Sequence, residues 1–487
     1  MKTIATVSAA ALILAPAATL AAGGYYSGAL GPRAAGRSGA FAARADDPTA
    51  VFYNPAGLVN LDGTVVMLGN RASYNAHDFT RAATTDWGQE VNGTAPAVSF
   101  DPVHNGKPWQ PLEPLVGVAS HLGLHDWAFA IAAFAAPGTS KEDYPLSGGQ
   151  RYMMVSREAV ILDYVASAAW RPVPSLAFGV TLTWIYVPRL DYSLVIDGTP
   201  FAGAANPVSS NLDLLAETSG SDPFTFDATV GAWWRVARSL EVALAGQLVP
   251  AEIVTRSTLH VTPLDKKMPD VVLERDGRPA NDVRIALPLP LMARAGARYR
   301  HLQAERELFD LELDVEYERW STVKQFTLDT RGLSAAFQGA NVMLGQIAIA
   351  KQWSDTVAVR LGGDFAVVPG RLVVRGGASY ETAVAPASHA NVDFAGGQMV
   401  GGSLGGSLGV GRFELALAYQ LRFQPTFAVS EGNARVYQQA PASACLPPYT
   451  DVNACNPHYL GQPAPAVNAG SYGATFHYLS LAVLYRY

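Results

Sequence analysis

The sequence predicts an all-β protein, a 14-stranded antiparallel transmembrane β-barrel with an N-terminal, partly helical plug. Three observations carry this expectation. Apolar residues recur at every second position through segment after segment and do not collect into blocks. The connections between those segments alternate between short and long. The last residues, Leu481-Ala-Val-Leu-Tyr-Arg-Tyr487, form an alternating strand that ends on an aromatic carboxy-terminus, while the opening of the chain reads as a secretory leader.

The leader comes first. Lys2 supplies the charge, Ile4 to Leu14 the apolar core, and Thr19-Leu-Ala-Ala22 the small residues of a cleavage site, so residues 1–22 are expected to be a signal peptide. Downstream, no run of about 18 apolar residues is free of charge, as a membrane helix would require. Any span must therefore be built from strands. Composition agrees, because 49% hydrophobic and only 16% charged residues stand beside 45 glycines and 20 tyrosines, and the apolar residues are scattered at alternate positions, whereas helical membrane proteins concentrate them. A net charge of −6 with no basic run argues against nucleic acid as a partner.

After an interval at 23–62 that does not alternate, candidate strands fall near 64–77, 114–122, 126–136, 153–171, 174–192, 223–236, 239–256, 285–300, 308–327, 355–367, 370–382, 398–410, 411–424 and 474–487. Short turns alternate with long connections at 78–113, 137–152, 193–222, 257–284, 328–354, 383–397 and 425–473. This parity is expected of a bacterial outer-membrane barrel over 63–487 with long outer loops and both chain ends in the periplasm. Cys445 and Cys455 share one Pro/Asn-rich connection, where an exported protein allows them to pair.

The two faces of the wall are clearest at 307–318. Phe309, Leu311, Leu313, Val315 and Tyr317 alternate with Asp310, Glu312, Asp314, Glu316 and Glu318. One face suits lipid and the other is anionic. Five carboxylates on one side of a strand repel unless countered, and the flanking strands bring Arg294, Arg298 and Arg300 on one side, Arg360 on the other, and Arg371 and Arg375 one strand further. A lumenal charge network that stiffens the wall is expected, with a polar lining for solute passage as the alternative.

The interval before the first strand carries alanine-rich stretches broken by Asp46-Asp47-Pro48 and Asn54-Pro55. Asp47 can cap a helix starting at Pro48, and Asn54 can cap one starting at Pro55. A barrel wider than about eight strands leaves an aqueous channel unless it is filled. This segment has the length to fill it.

Several enzyme-like patterns fail on context. Gly401-Gly-Ser403-Leu-Gly405 and Gly405-Gly-Ser407-Leu-Gly409 match G-x-S-x-G, but the nucleophile elbow needs a strand-turn-helix and these lie within one strand. His121 and His125 have the spacing of a metal pair only on a helix, and they fall on a strand end and turn. Trp184, Trp234, Tyr485 and Tyr487 read as interfacial girdle residues. No enzyme activity, metal or cofactor is expected.

Gly36 to Leu58, with its acidic pair and Phe52-Tyr-Asn-Pro-Ala-Gly-Leu58, resembles the amino-terminal hatch of the FadL/TodX family of outer-membrane transporters for long-chain fatty acids and other hydrophobic compounds. Further stretches, in the same order as in that family, are Glu318-Arg-Trp-Ser321, Trp353-Ser-Asp-Thr356, Leu372-Val-Val-Arg-Gly-Gly377 with Tyr380, and the connection from Pro386 toward Asp393. The resemblance implies a plugged barrel that takes up hydrophobic compounds passively, with Asn54, Pro55 and Ala56 as hatch residues. It also implies sideways release at a kinked third strand, which here is followed by Pro137-Gly138; the alternative for that pair is that it simply begins the outer loop 137–152. The ligand-pocket residues are not legible. The partners so implied are a hydrophobic small molecule (fatty acid, hydrocarbon or detergent-like), outer-membrane lipid and lipopolysaccharide, and the barrel-assembly machinery that reads the terminal aromatic, for a protein acting as a monomer. The alternative is a general diffusion pore for small polar solutes.

Overall fold

The computed structural model describes residues 28–84, 98–197, 213–303, 305–337, 340–344, 346–394, 396–438, 458–459, 462–463 and 466–487. The expected signal peptide and the Cys445–Cys455 pair lie outside them.

Fourteen strands close into an antiparallel barrel. They are β1 (Thr64–Arg81), β2 (Trp109–Ser120), β3 (Trp127–Ala135), β4 (Ser156–Val173), β5 (Leu176–Asp197), β6 (Asp213–Ala237), β7 (Leu240–Gln247 and Glu252–Pro263), β8 (Asp282–Pro288 and Met292–Gln303), β9 (Arg306–Glu318), β10 (Thr356–Val368), β11 (Leu372–Glu381), β12 (Met399–Val410), β13 (Phe413–Val429) and β14 (Gly470–Arg486). Each pairs with its sequence neighbour. The barrel is sealed by β1 against β14, in register from Val65↔Arg486 to Arg81↔Gly470. Closure removes the exposed edge that an open sheet would present, and it satisfies the backbone without water.

The alternation seen along the chain becomes an inside and an outside. On β9, Leu311 and Leu313 are 50% and 47% exposed on the outer wall, whereas Glu312 and Asp314 are 0% exposed within. At the carboxy-terminus the Tyr487 backbone exchanges hydrogen bonds with Thr64, so the last residue completes the short-turn rim.

The wall departs from the expected boundaries at the long-loop end. Much of 193–222 and 257–284 is strand, because β5 reaches Asp197, β6 begins at Asp213 and β7 runs to Pro263. Within 328–354, short strands Ser334–Phe337, Ala340–Met343 and Gln346–Ala350 form. The expected strand at 308–327 stops instead at Glu318, and after a 3-10 turn at Trp320–Thr322 a separate strand, Gln325–Asp329, pairs with the outer piece of β8. The breaks in β7 and β8 fall at Pro250 and Pro290, where a missing N–H interrupts the ladder.

Inside the short-turn half lies the segment Gly28 to Leu61. It forms α1 (Pro32–Ala35), α2 (Ala50–Tyr53) and a 3-10 turn (Pro55–Asn60). Asn54 caps that turn, accepting from Ala56 N at 3.1 Å. The cap expected at Asp47 is displaced. The helix begins two residues later than Pro48, with Thr49 as its N-cap, and the Asp47 carboxylate instead accepts from Thr49 N at 2.8 Å.

Candidate functional site

The buried amino-terminal segment is tied to the wall by charge. Arg37 is fully buried, and its guanidinium meets Asp310 at 2.7 Å, Glu312 at 2.8 Å and Asp364 at 2.7 Å. Arg44 adds Asp310 at 2.6 Å and Glu307 at 3.0 Å. Backbone amides of the segment contribute as well: Phe41 N and Ala42 N donate to Asp314 at 2.8 and 2.9 Å, and Ala43 N donates to Glu312 at 2.7 Å. Short charge-assisted bonds of this kind offset the desolvation of buried carboxylates only when every partner is in place.

Wall arginines hold Glu316 and reinforce Asp310 and Asp364. Arg294 and Arg360 share Glu316, with Arg360 at 2.5 Å. Arg298 spans Asp310, Glu307 and Glu241 at 2.6, 2.6 and 2.8 Å, and Arg375 holds Asp364 at 2.9 Å. Glu318 accepts from the Trp320 indole at 2.5 Å. The sequence pointed to arginines of the neighbouring wall strands as the counter-charge, but two of the five arginines that pair with Asp310 to Glu318, Arg37 and Arg44, come from the amino-terminal segment. Arg371, expected in the lumen, sits exposed in the turn before β11. The clue in the sequence was the spacing of arginines through an otherwise alanine-rich stretch.

Asn54, Pro55 and Ala56 sit at the tightest contact between segment and wall. The Asn54 amide donates to Ala42 O at 3.0 Å and to Ala232 O at 3.1 Å, joining segment to segment and segment to barrel. Pro55 and Ala56 lie over β5 and β6, where glycines stand. A Cβ at Gly179 would come within 2.4 Å of Pro55 C, and one at Gly231 within 2.0 Å of Asn54 Oδ1. Only glycine permits this approach.

Above this filled half, an apolar chamber opens in the long-loop half. Leu190, Leu194, Leu214, Ile253, Leu259, Ile285 and Leu289 line it together with Phe326 and Phe394. Several lie in stretches expected as loops, and their signal was the short alternation still visible at Leu259-His-Val261. Among the described residues, Arg157 is the one charged residue in the lining. Glu142 engages its Nε and Nη2 at 2.8 Å each, and its guanidinium carbon lies 3.9 Å from the Phe394 ring centroid. Beside the chamber, Lys351 pairs with Asp393 among Phe326, Trp353 and Phe394, and burial pushes its ammonium below the usual lysine range.

A second, polar cavity adjoins the first and shares Gly138, Arg157 and Phe394 with it. Pro137 and Gly138 line it in a break of the third strand. The β2–β3 ladder stops at Leu115↔Phe134, and β3 leaves β4 after Ala135↔Leu162. Pairing with β4 resumes at Ser140↔Ala159, after more residues on one strand than on the other. Residues 109–114 of β2, including Pro111 and Pro114, have no ladder partner on β3. Proline and an uneven register are what bend a strand out of a sheet.

The enzyme-like patterns fall in structural roles. Ser403 on β12 accepts from Ser38 N at 2.7 Å, and Ser407 bonds Arg375. His121 contacts Leu61 O at 3.0 Å and Trp127 O at 2.8 Å from the short-turn rim, while His125 offers its carbonyl to Arg171. Among the described residues, no cluster of three or more His, Cys, Asp or Glu is placed to hold a metal.

A family described as outer membrane protein transport protein (OMPP1/FadL/TodX) matches residues 13–405. No curated protein matches the chain. Among solved structures, a Pseudomonas aeruginosa FadL homologue superposes with a TM-score of 0.69 at 14% identity, covering 96% of this chain and 100% of that one. The Pseudomonas putida toluene transporter TodX gives 0.61 at 12% identity, over 95% and 99%. The Ralstonia pickettii toluene transporter TbuX gives 0.58 at 14% identity, over 94% and 98%. At these identities the likeness is one of fold.

Proposed function

This chain belongs to the OMPP1/FadL/TodX family of outer-membrane channels for hydrophobic compounds, and from that premise we propose that it carries an uncharged hydrophobic molecule from its outer apolar chamber to a sideways exit at the broken third strand. The observation that supports an uncharged ligand is the chamber lining, in which Arg157, the single cation among the described lining residues, is already engaged on two atoms by Glu142. A carboxylate would have to displace Glu142. A hydrocarbon gains about 0.8 kcal/mol per buried methylene with no such exchange. No energy source is required when uptake follows consumption inside the cell.

The exit rests on the position of Pro137 and Gly138, between two cavities and beside the unpaired stretch of β2. The segment Gly28 to Leu61 acts as the hatch, because it occupies the short-turn half of the bore where a straight aqueous path would run. That arrangement disfavours a general diffusion pore for polar solutes.

Uptake by cells carrying the wild-type protein tests this reading with two radiolabelled probes of matched size, an alkane or arene and a long-chain carboxylate. The neutral probe is expected to enter several-fold faster than in cells without the protein, and the carboxylate to gain less. Gly138→Val is expected to slow entry of the neutral probe. Equal acceleration of both probes would defeat the assignment of an uncharged ligand, and full uptake by Gly138→Val would defeat the sideways exit.

A further inference from the structure

The outward face of the barrel carries a feature that a lumenal path does not use. Toward the long-loop end, outward side chains of β7 and β8 pair across the ladder as Val254↔Ala286, then Arg256↔Arg284, then Thr258↔Asp282. Their inward neighbours Ile253, Leu259 and Ile285 line the chamber, so both arginines point away from the lumen, and both are exposed. Val254 is the last exposed aliphatic residue in this row of β7. Where the apolar face ends, two guanidinium side chains therefore stand directly opposite each other, and like charges at such positions repel.

The carboxylates within reach are already occupied. Asp282 takes Arg275 through both oxygens at 2.7 Å. Asp329, which faces Arg284 from the strand Gln325–Asp329, takes Arg331 at 2.7 and 2.6 Å. Glu252, outward on the same strand, is four residues from Arg256, roughly 13 Å along an extended chain. Four guanidiniums thus meet two carboxylates. Among the described residues, neither Arg256 nor Arg284 has an ion-pair partner within 4.0 Å.

We propose that Arg256 and Arg284 form a binding site for a phosphate group of the phosphorylated glycolipid in the outer leaflet. The site has the charge and the planar forked donors that recognise phosphate, and a dianion between the two side chains removes their repulsion. Its place supports a lipid source, because the acyl chains of the same molecule would lie along the exposed apolar wall at Val254 and Val249.

The full-length protein, purified in detergent, is titrated with diphosphorylated lipid A, with the same lipid stripped of its phosphates, and with inorganic phosphate, and bound lipid is read by native mass spectrometry. Wild-type protein is expected to prefer the phosphorylated lipid. Arg256→Gln/Arg284→Gln is expected to weaken that binding about a hundredfold, roughly tenfold per charged hydrogen-bonding group, while the barrel keeps its heat-modifiable migration. Arg256→Lys/Arg284→Lys, which keeps the charge, is expected to stay much closer to wild type. The proposal is overturned if the glutamine variant binds as wild type does, if the stripped lipid binds equally well, or if millimolar inorganic phosphate displaces the lipid completely.

Discussion

Arg37 Nη1 donates to Asp310 Oδ1 at 2.7 Å, joining residues 273 positions apart at the inner face of the barrel wall. This bond, with those to Glu312 and Asp364, makes Arg37 the fastening between the amino-terminal segment and the wall. Arg37→Ala leaves three buried carboxylates short of a partner, a loss of about 3–5 kcal/mol. The expected outcome is a barrel that still forms but whose leading segment is cut by trypsin at Arg33 or Arg44 and whose single-channel conductance in a planar bilayer rises. Wild-type conductance and protection would show that the fastening lies elsewhere.

Gly179 and Gly231 admit the Asn54-Pro55 turn. Gly179→Val places a side chain where the Pro55 backbone already stands, within 2.4 Å. Overpacking of this kind costs about 1–3 kcal/mol or more. The expected result is the same loosening as in Arg37→Ala, with the strand content of the barrel unchanged by circular dichroism. Gly370→Val is the control, because no atom lies near its Cβ position, although its positive φ still imposes strain.

The apolar chamber tolerates shape changes better than charge. Ile253→Lys puts an ammonium among aliphatic side chains, at a desolvation cost that an unpaired charge does not recover. Uptake of a neutral probe is expected to fall at least about tenfold, whereas Ile253→Val, a loss of about 0.5–1.5 kcal/mol of packing, is expected to change it less than threefold. Comparable loss in both variants would place the route outside this chamber.

Arg157 and Glu142 act as one unit between the two cavities. Arg157→Leu alone strands Glu142, which is 2% exposed, and is expected to lower the melting temperature of the purified protein. The double replacement Arg157→Leu/Glu142→Leu removes both charges and is expected to restore stability to near wild type, since apolar substitutes for a buried pair are often neutral or stabilising. Melting curves of the two variants side by side provide the check.

Several of these groups are legible in the sequence. Alternation in 307–318 separated the lipid face from the lumenal face, because a strand repeats every two residues whatever it packs against. Asn54 read as a cap because its side chain and the following proline act locally. The counter-charges at Arg37 and Arg44 were missed because nothing within the segment requires them. The chamber was missed because part of its wall, at Leu194, Leu214 and Leu259, lies in strand extensions whose polar outward residues resemble loops.

By itself the sequence determined the strand count, the in-and-out pattern of each strand and the presence of a non-alternating leading segment, since these follow from short-range periodicity and local turn chemistry. Only the tertiary structure decided which buried arginine answers which carboxylate, which glycines face the segment, and that the third strand breaks beside two adjoining cavities. Many of those relationships join residues far apart in the chain, as Arg37 and Asp310 are, and they exist only once the sheet has closed and excluded water from its interior.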